Sequence, residues 1–154
     1  MRASFPRSTP VARLIRAGPM IVSASTWAVG AIPNVKYVLD TSAVLSVRPP
    51  ELEGEVAIST CTVAELHFGV LVTTDAAVRA ERLRRLSVVQ STFTPLPVDD
   101  AVAQAYGHLA AAVAAAGRQP RARVMDLLIA ATAAAHQACL VTVNAKNLEG
   151  LEDS

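Results

Sequence analysis

With 154 residues, 52% of them hydrophobic and 18% charged, the chain is too apolar to be disordered and long enough for one domain around a single core. Its net charge of +1 gives no ground for assigning a nucleic-acid, membrane or acidic partner from global charge. The first 34 residues hold Arg2, Arg7, Arg13 and Arg16 and no acid, which leaves the remainder mildly acidic.

Near the amino terminus, Arg13 and Arg16 precede the uncharged segment Met20–Ala31, and Val29-Gly30-Ala31 imitates a signal-peptide cleavage site. Ser23, Ser25, Thr26 and Gly30, with Pro19 and Pro33 at the edges, argue against an export signal. Residues 1–34 are expected to be an extension, disordered or an over-called start, ahead of a folded domain over 35–154. Val35–Leu39 is β-branched and apolar, as a buried strand requires. Asp40 follows it directly, then a short helical run, Thr41–Val47, which Pro49-Pro50 ends. Val56–Ser59 reads as a second strand. Thr60 or Thr62 can cap a helix Val63–Val72 and put Glu65 in its first turn.

Asp75–Leu86 reads as a helix bearing Arg79, Arg82, Arg84 and Arg85, with Glu81 among them as on a solvated face. Phe93–Val98 is a third strand, confined to an edge by Pro95 and Pro97. Asp99-Asp100 opens the helix Ala101–Ala116, and Gly117 closes it. A basic loop, Arg118–Arg123, leads to Asp126 and an Ala-rich helix, Leu127–Ala138; Leu140–Val143 is a fourth strand. The uncharged stretches Ala101–Gly117 and Leu127–Ala145 are dominated by Ala and do not read as membrane spans. Strands alternating with helices indicate an α/β domain with a parallel sheet.

Most acids have ordinary explanations: Glu51, Glu53 and Glu55 in a loop, Asp75 and Glu81 on the charged helix, Glu149, Glu152 and Asp153 in the tail. Asp40, Glu65 and Asp126 stand instead in apolar surroundings at the starts of three helices. Each has a structural alternative: a turn or cap for Asp40, a capping box with Thr62 for Glu65, a simple cap for Asp126. Three such carboxylates can converge at the carboxyl edge of a parallel sheet, where sites form. Their mutual repulsion is relieved by a hard divalent cation, Mg²⁺ or Mn²⁺. His67, His108 and His136 have no strong claim as a base. Cys61 and Cys139 read as core residues in a reduced compartment, and the H-x₂-C spacing of His136 and Cys139 lacks a second ligand pair for zinc.

In order and spacing, VLDTSAVL, TVAELHFGV, VMDLLIAATA and LVTVN resemble PIN-domain proteins of the VapC group over about residues 35–150. The resemblance implies a three-layer α/β/α domain with a parallel sheet of four to five strands. It makes Asp40, Glu65 and Asp126 the acidic, metal-holding and catalytic cluster, supported by Thr41, Ser42 and Asn144. It also implies a cytoplasmic, Mg²⁺-dependent endoribonuclease, the toxin of a toxin–antitoxin pair. Such an enzyme cleaves structured RNA such as transfer or ribosomal RNA, is neutralised by a cognate VapB-type antitoxin, and forms homodimers. Arg118, Arg121 and Arg123 are candidate phosphate contacts, with a solvated loop as the alternative.

Two departures stand out. Where many members have T-R-N-x-x-D-F, this chain has Val143 for the Arg and Asn147 for the acid. The sequence also stops before the family's last edge strand, so the edge of the fourth strand is expected to lie open. These departures motivate an alternative: a degenerate, non-catalytic PIN domain that binds antitoxin or RNA. A haloacid-dehalogenase phosphatase would need an acid where Ser42 stands, and no G-x-G-x-x-G follows a strand to make a dinucleotide site.

Overall fold

A computed structural model of the chain describes residues 35–46, 52 and 54–143, together with the backbone of 13–16 and 20–22. Among the described residues five strands form one sheet: β1 (Arg13–Arg16), β2 (Met20–Val22), β3 (Lys36–Leu39), β4 (Glu55–Ile58) and β5 (Cys139–Thr142), in the order β2-β1-β5-β3-β4. Among the described residues, β5-β3-β4 form the parallel part of the sheet. The hairpin β1-β2 pairs antiparallel against β5. The β5 edge that was expected to lie open therefore carries β1, drawn from the segment expected to be an extension.

The helices are α1 (Thr41–Val44), α2 (Thr60–Val72), α3 (Ala76–Thr92), α4 (Asp100–Ala115) and α5 (Val124–Ala135), with a 3₁₀ turn at Pro120–Arg123. Strand alternation divides the apolar residues between two cores. Tyr37 and Leu39 of β3 and Cys139 and Val141 of β5 pack with Leu66 and Val70 of α2 and Leu86 and Val89 of α3. Val38 and Leu140 face the other way, onto Ile129, Ala130 and Ala133 of α5. Both faces of the sheet are thus covered, the three-layer arrangement expected. All four residues of β5 are buried, as in a strand with a helix layer on each face. The small alanines of α5, with Ala130, Ala131 and Ala133 buried, let it lie close to the sheet and to α4.

Several boundaries differ from the sequence reading, each for a local reason. Phe93–Val98 is not a strand: it makes one parallel bridge, Ser59 to Leu96. Leu96 donates to Ile58 O at 2.8 Å, but Pro95 and Pro97 have no N–H to extend the ladder. Helix α3 runs six residues past Leu86, to Thr92, because Val89 faces the core and the β-branched run does not break it. Helix α1 is shorter than Thr41–Val47, and Pro49-Pro50 lies outside the described residues. Asp99 caps α4 by accepting Val102 N–H at 3.0 Å, with Asp100 in the first turn, as read. Gly117, at φ 74°, follows its last turn. Among the described residues no helix is long and apolar enough to cross a membrane.

Candidate functional site

The parallel strands end together, and two of the three singled-out acids arise close to their carboxyl ends. Asp40 is the residue after β3, tied into the sheet by its N–H to Val141 O at 3.0 Å. Its extended backbone makes it the N-cap of α1, and Oδ1 accepts both Ala43 N–H at 2.8 Å and Ser42 Oγ–H at 2.7 Å. The cap alternative for Asp40 is therefore real, but it uses one oxygen. Oδ2 has no protein partner among the described residues.

Ser42 fastens this corner to β5. Its Oγ accepts Val143 N–H at 3.0 Å and lies 3.3 Å from Thr142 Oγ1. Thr142, fully buried, was not singled out by the sequence reading; its only signal was a hydroxyl at the end of an apolar strand. Asn144, the next residue but one, lies outside the described residues, as does Asn147.

Glu65 does not sit where the capping-box reading put it. Helix α2 begins one residue after Ser59, whose hydroxyl accepts Cys61 N–H at 3.2 Å. This places Glu65 in the second turn, out of reach of the cap, because Ser59 wins the N-cap role from Thr60 and Thr62. The Thr62 hydroxyl is buried without a partner. Glu65 Oε2 instead receives the hydroxyl of Thr41, from the first turn of α1. Asp126 lies in the first turn of α5 but is not its cap; that position is Arg123, with no capping side-chain bond.

Burial raises the pKa of Glu65; the Thr41 hydrogen bond opposes this, and the charges of Asp126 and Asp40 add to it. Asp126 is raised likewise, first by burial, then by the charge of Asp40, against a lowering by Arg123. The charges of Asp126 and Asp40 thus act on Glu65, and that of Asp40 on Asp126. The three acids do not close into a ready-made metal cluster among the described residues. The donor set is nonetheless that of a hard cation: carboxylate oxygens with hydroxyls behind them, and no described histidine or thiol among them. Half-buried carboxylates whose pKa is raised by burial and by a neighbouring negative charge, as for Glu65 and Asp126, are what a divalent ion would relieve.

Of the basic trio, Arg123 is half-buried and acts on Asp126, while Arg118 and Arg121 are exposed. On α3, Arg84 and Arg85 pair with Glu81, and Arg79 and Arg82 bond the carbonyls of Thr73 and Gly69. That helix face is internally satisfied rather than a waiting anion site. His67 and His108 are exposed on helices, and His136 ends α5. Cys61 and Cys139 are buried and not joined in a disulfide; burial and the Glu65 charge raise the Cys61 pKa against a lowering by its Ser59 hydrogen bond.

Comparison with known proteins matches residues 37–149 to the PIN domain family model. Ribonuclease VapC5 of Mycobacterium tuberculosis is 37% identical over 111 residues, covering 68% of this chain and 80% of the relative. Among solved structures, VapBC-5 of Mycobacterium tuberculosis, a member of the VapBC family of toxin–antitoxin systems, aligns with TM-score 0.59 and 38% identity over 66% of this chain and 79% of that one. FitAcB of Neisseria gonorrhoeae aligns with TM-score 0.54 and 26% identity, over 66% and 83%.

Proposed function

The chain belongs to the PIN-domain family, in its VapC group, and from that premise we propose that it is a metal-dependent endoribonuclease, the toxin of a toxin–antitoxin pair. What supports the proposal is the placement of the acids: Asp40 follows β3, Glu65 on α2 takes the Thr41 hydroxyl from α1, and the charges of Asp126 and Asp40 both act on Glu65. These three carboxylates would hold Mg²⁺, or Mn²⁺ in its place. When bound, the ion supplies charge neutralisation at the phosphodiester and favours ionisation of water.

The protein's own residues prepare the site. Ser42 and Ala43 N–H fix Asp40 Oδ1 and leave Oδ2 as a ligand oxygen. Thr41 orients Glu65 and favours its ionised form. The Arg123 charge favours the ionised form of Asp126. Water attacks the phosphorus in line and leaves 5′-phosphate and 3′-hydroxyl ends. The substrate is a structured RNA, transfer or ribosomal RNA, with Arg118 and Arg121 as exposed phosphate contacts.

A VapB-type antitoxin covers the site, and two copies of the chain form a dimer in the cytoplasm. Phe68 and Leu71 on α2, 67% and 78% exposed, support a protein partner. Residues 35–154 form the PIN domain.

The decisive experiment is cleavage of structured RNA by the purified chain with Mg²⁺, its loss with EDTA, and its loss in Asp40→Asn. Cleavage undiminished by Asp40→Asn would reject the site. One observation favours a second reading, a non-catalytic antitoxin- or RNA-binding domain: the described acids do not close into a metal cluster. Normal growth on expression without antitoxin, with antitoxin binding intact, would select that reading.

A further inference from the structure

Strand β1 runs antiparallel to β5, so its two ends lie at opposite edges of the sheet. Arg13 is the register partner of Thr142, and Arg16 that of Cys139. Thr142 ends β5 at the carboxyl edge, beside Ser42, which holds Asp40. Cys139 begins the same strand at the far edge. Two arginines of one four-residue strand are thus separated by the topology: residue 13 at the acid edge, residue 16 away from it.

The separation from Asp40 follows from the strand order. From β3 through β5 to β1 is two strand spacings, roughly 10 Å. Pairing along Arg13–Arg16 holds the backbone of β1 in the plane of the sheet, beside the acids rather than over them. The register thus places a basic residue, Arg13, at the flank of an acidic site, the arrangement a polyanion needs if its reacting phosphate is to enter among carboxylates.

Building on the ribonuclease reading, we propose that Arg13 is a substrate-positioning residue, delivered by β1 to the acid edge to contact the RNA phosphate backbone beside the cleavage point. Its role is distinct from the acid cluster: it holds RNA in place and takes no part in bond breaking. Arg16, on the same strand but at the wrong edge, makes no such contact.

The test is binding of a fluorescein-labelled RNA hairpin to the full chain carrying Asp40→Asn, followed by anisotropy from about 50 to 200 mM salt. Arg13→Gln is expected to weaken binding several-fold at low salt and to flatten the dependence of log K on log salt by about 0.7 to 0.9, one phosphate contact. Arg16→Gln, a matched change on the same strand, is expected to leave both unchanged, and Arg13→Lys to retain the salt slope. Should Gln disturb the strand, seen as a lowered melting temperature, Arg13→Thr, a better strand former, carries the same comparison. Equal effects at positions 13 and 16, no effect at 13, or tighter RNA binding on loss of Arg13 (the strand then obstructing the site) would each overturn the proposal. Failure of the ribonuclease reading is seen separately, as absence of cleavage by the unaltered chain.

Discussion

Ser42 Oγ donates to Asp40 Oδ1 at 2.7 Å and accepts Val143 N–H at 3.0 Å, so one hydroxyl joins the first acid to the end of β5. Ser42→Ala removes both bonds. Oδ1 keeps the Ala43 N–H, so the cap survives, but the carboxylate loses its lateral restraint. The expected outcome is a loss of about 10- to 100-fold in metal affinity or activity, as for other groups that orient ligands. The accompanying stability loss should be about 1 kcal/mol. Metal titration by calorimetry and a urea melt measure the two separately.

Asp40→Asn and Asp40→Ala should differ in stability but not in chemistry. Asn serves as an N-cap as well as Asp does, whereas Ala does not, at a cost of about 1 kcal/mol. Both variants are expected to lose cleavage, and only the Ala variant should melt lower. Equal melting temperatures would mean that α1 does not need its cap.

Glu65 and Asp126 have carboxyl groups raised above the ordinary values of 4.5 and 3.8. Each binds its proton more tightly folded than unfolded. The stabilisation this gives is complete below the unfolded values and is lost as pH rises through the folded ones. Without metal, this pair therefore makes the protein less stable as pH rises through that window. Thermal melts in EDTA across that range should show the fall, and Asp126→Asn should reduce it. Saturating Mg²⁺ should restore stability at neutral pH, by about 2.7 kcal/mol at a hundredfold excess over Kd.

Thr41→Ala and Thr41→Ser separate the hydroxyl from the methyl. The Thr41 hydrogen bond lowers the Glu65 pKa. Without it, the acid limb of the activity profile is expected to move to higher pH, while Thr41→Ser keeps the limb in place. A pH–rate profile on the three proteins decides this, and an unmoved limb in Thr41→Ala would remove Thr41 from the site.

Gly54→Ala tests a contact far from the acids. A Cβ there would stand 2.1 Å from Val35 O, which also accepts Glu55 N–H at 3.1 Å. The main chain entering β3 and β4 must separate to admit it, at about 1 to 3 kcal/mol. A chemical melt should register the loss with metal affinity unchanged.

Asp40, Glu65 and Asp126 stand out in the sequence because each breaks an apolar run, and a lone carboxylate in such a run needs an explanation. The strands β3, β4 and β5 were legible from short β-branched stretches, and the Asp99 cap from its place before a long alanine helix. Pairing was less legible. Ser59, Thr60 and Thr62 are chemically equivalent as caps, and only the bridge of Ser59 to Leu96 decides where α2 starts. Thr142 looked like any strand residue until Ser42, a hundred positions away, was found beside it. No local pattern could have assigned β1 to β5, since their partnership is set by the free edge of a sheet that the rest of the chain builds.

Asp40 is anchored to the central strand, Glu65 belongs to the helix layer of Leu66 and Val70, and Asp126 to the opposite layer of Ile129 and Ala133. An ion shared by all three would act as a rivet through the sheet and the helix layers on its two faces, resisting any shear between them. Occupancy would then be felt throughout the body of the molecule, as slower opening of α2 and α5 in step, although neither core gains a single new apolar neighbour.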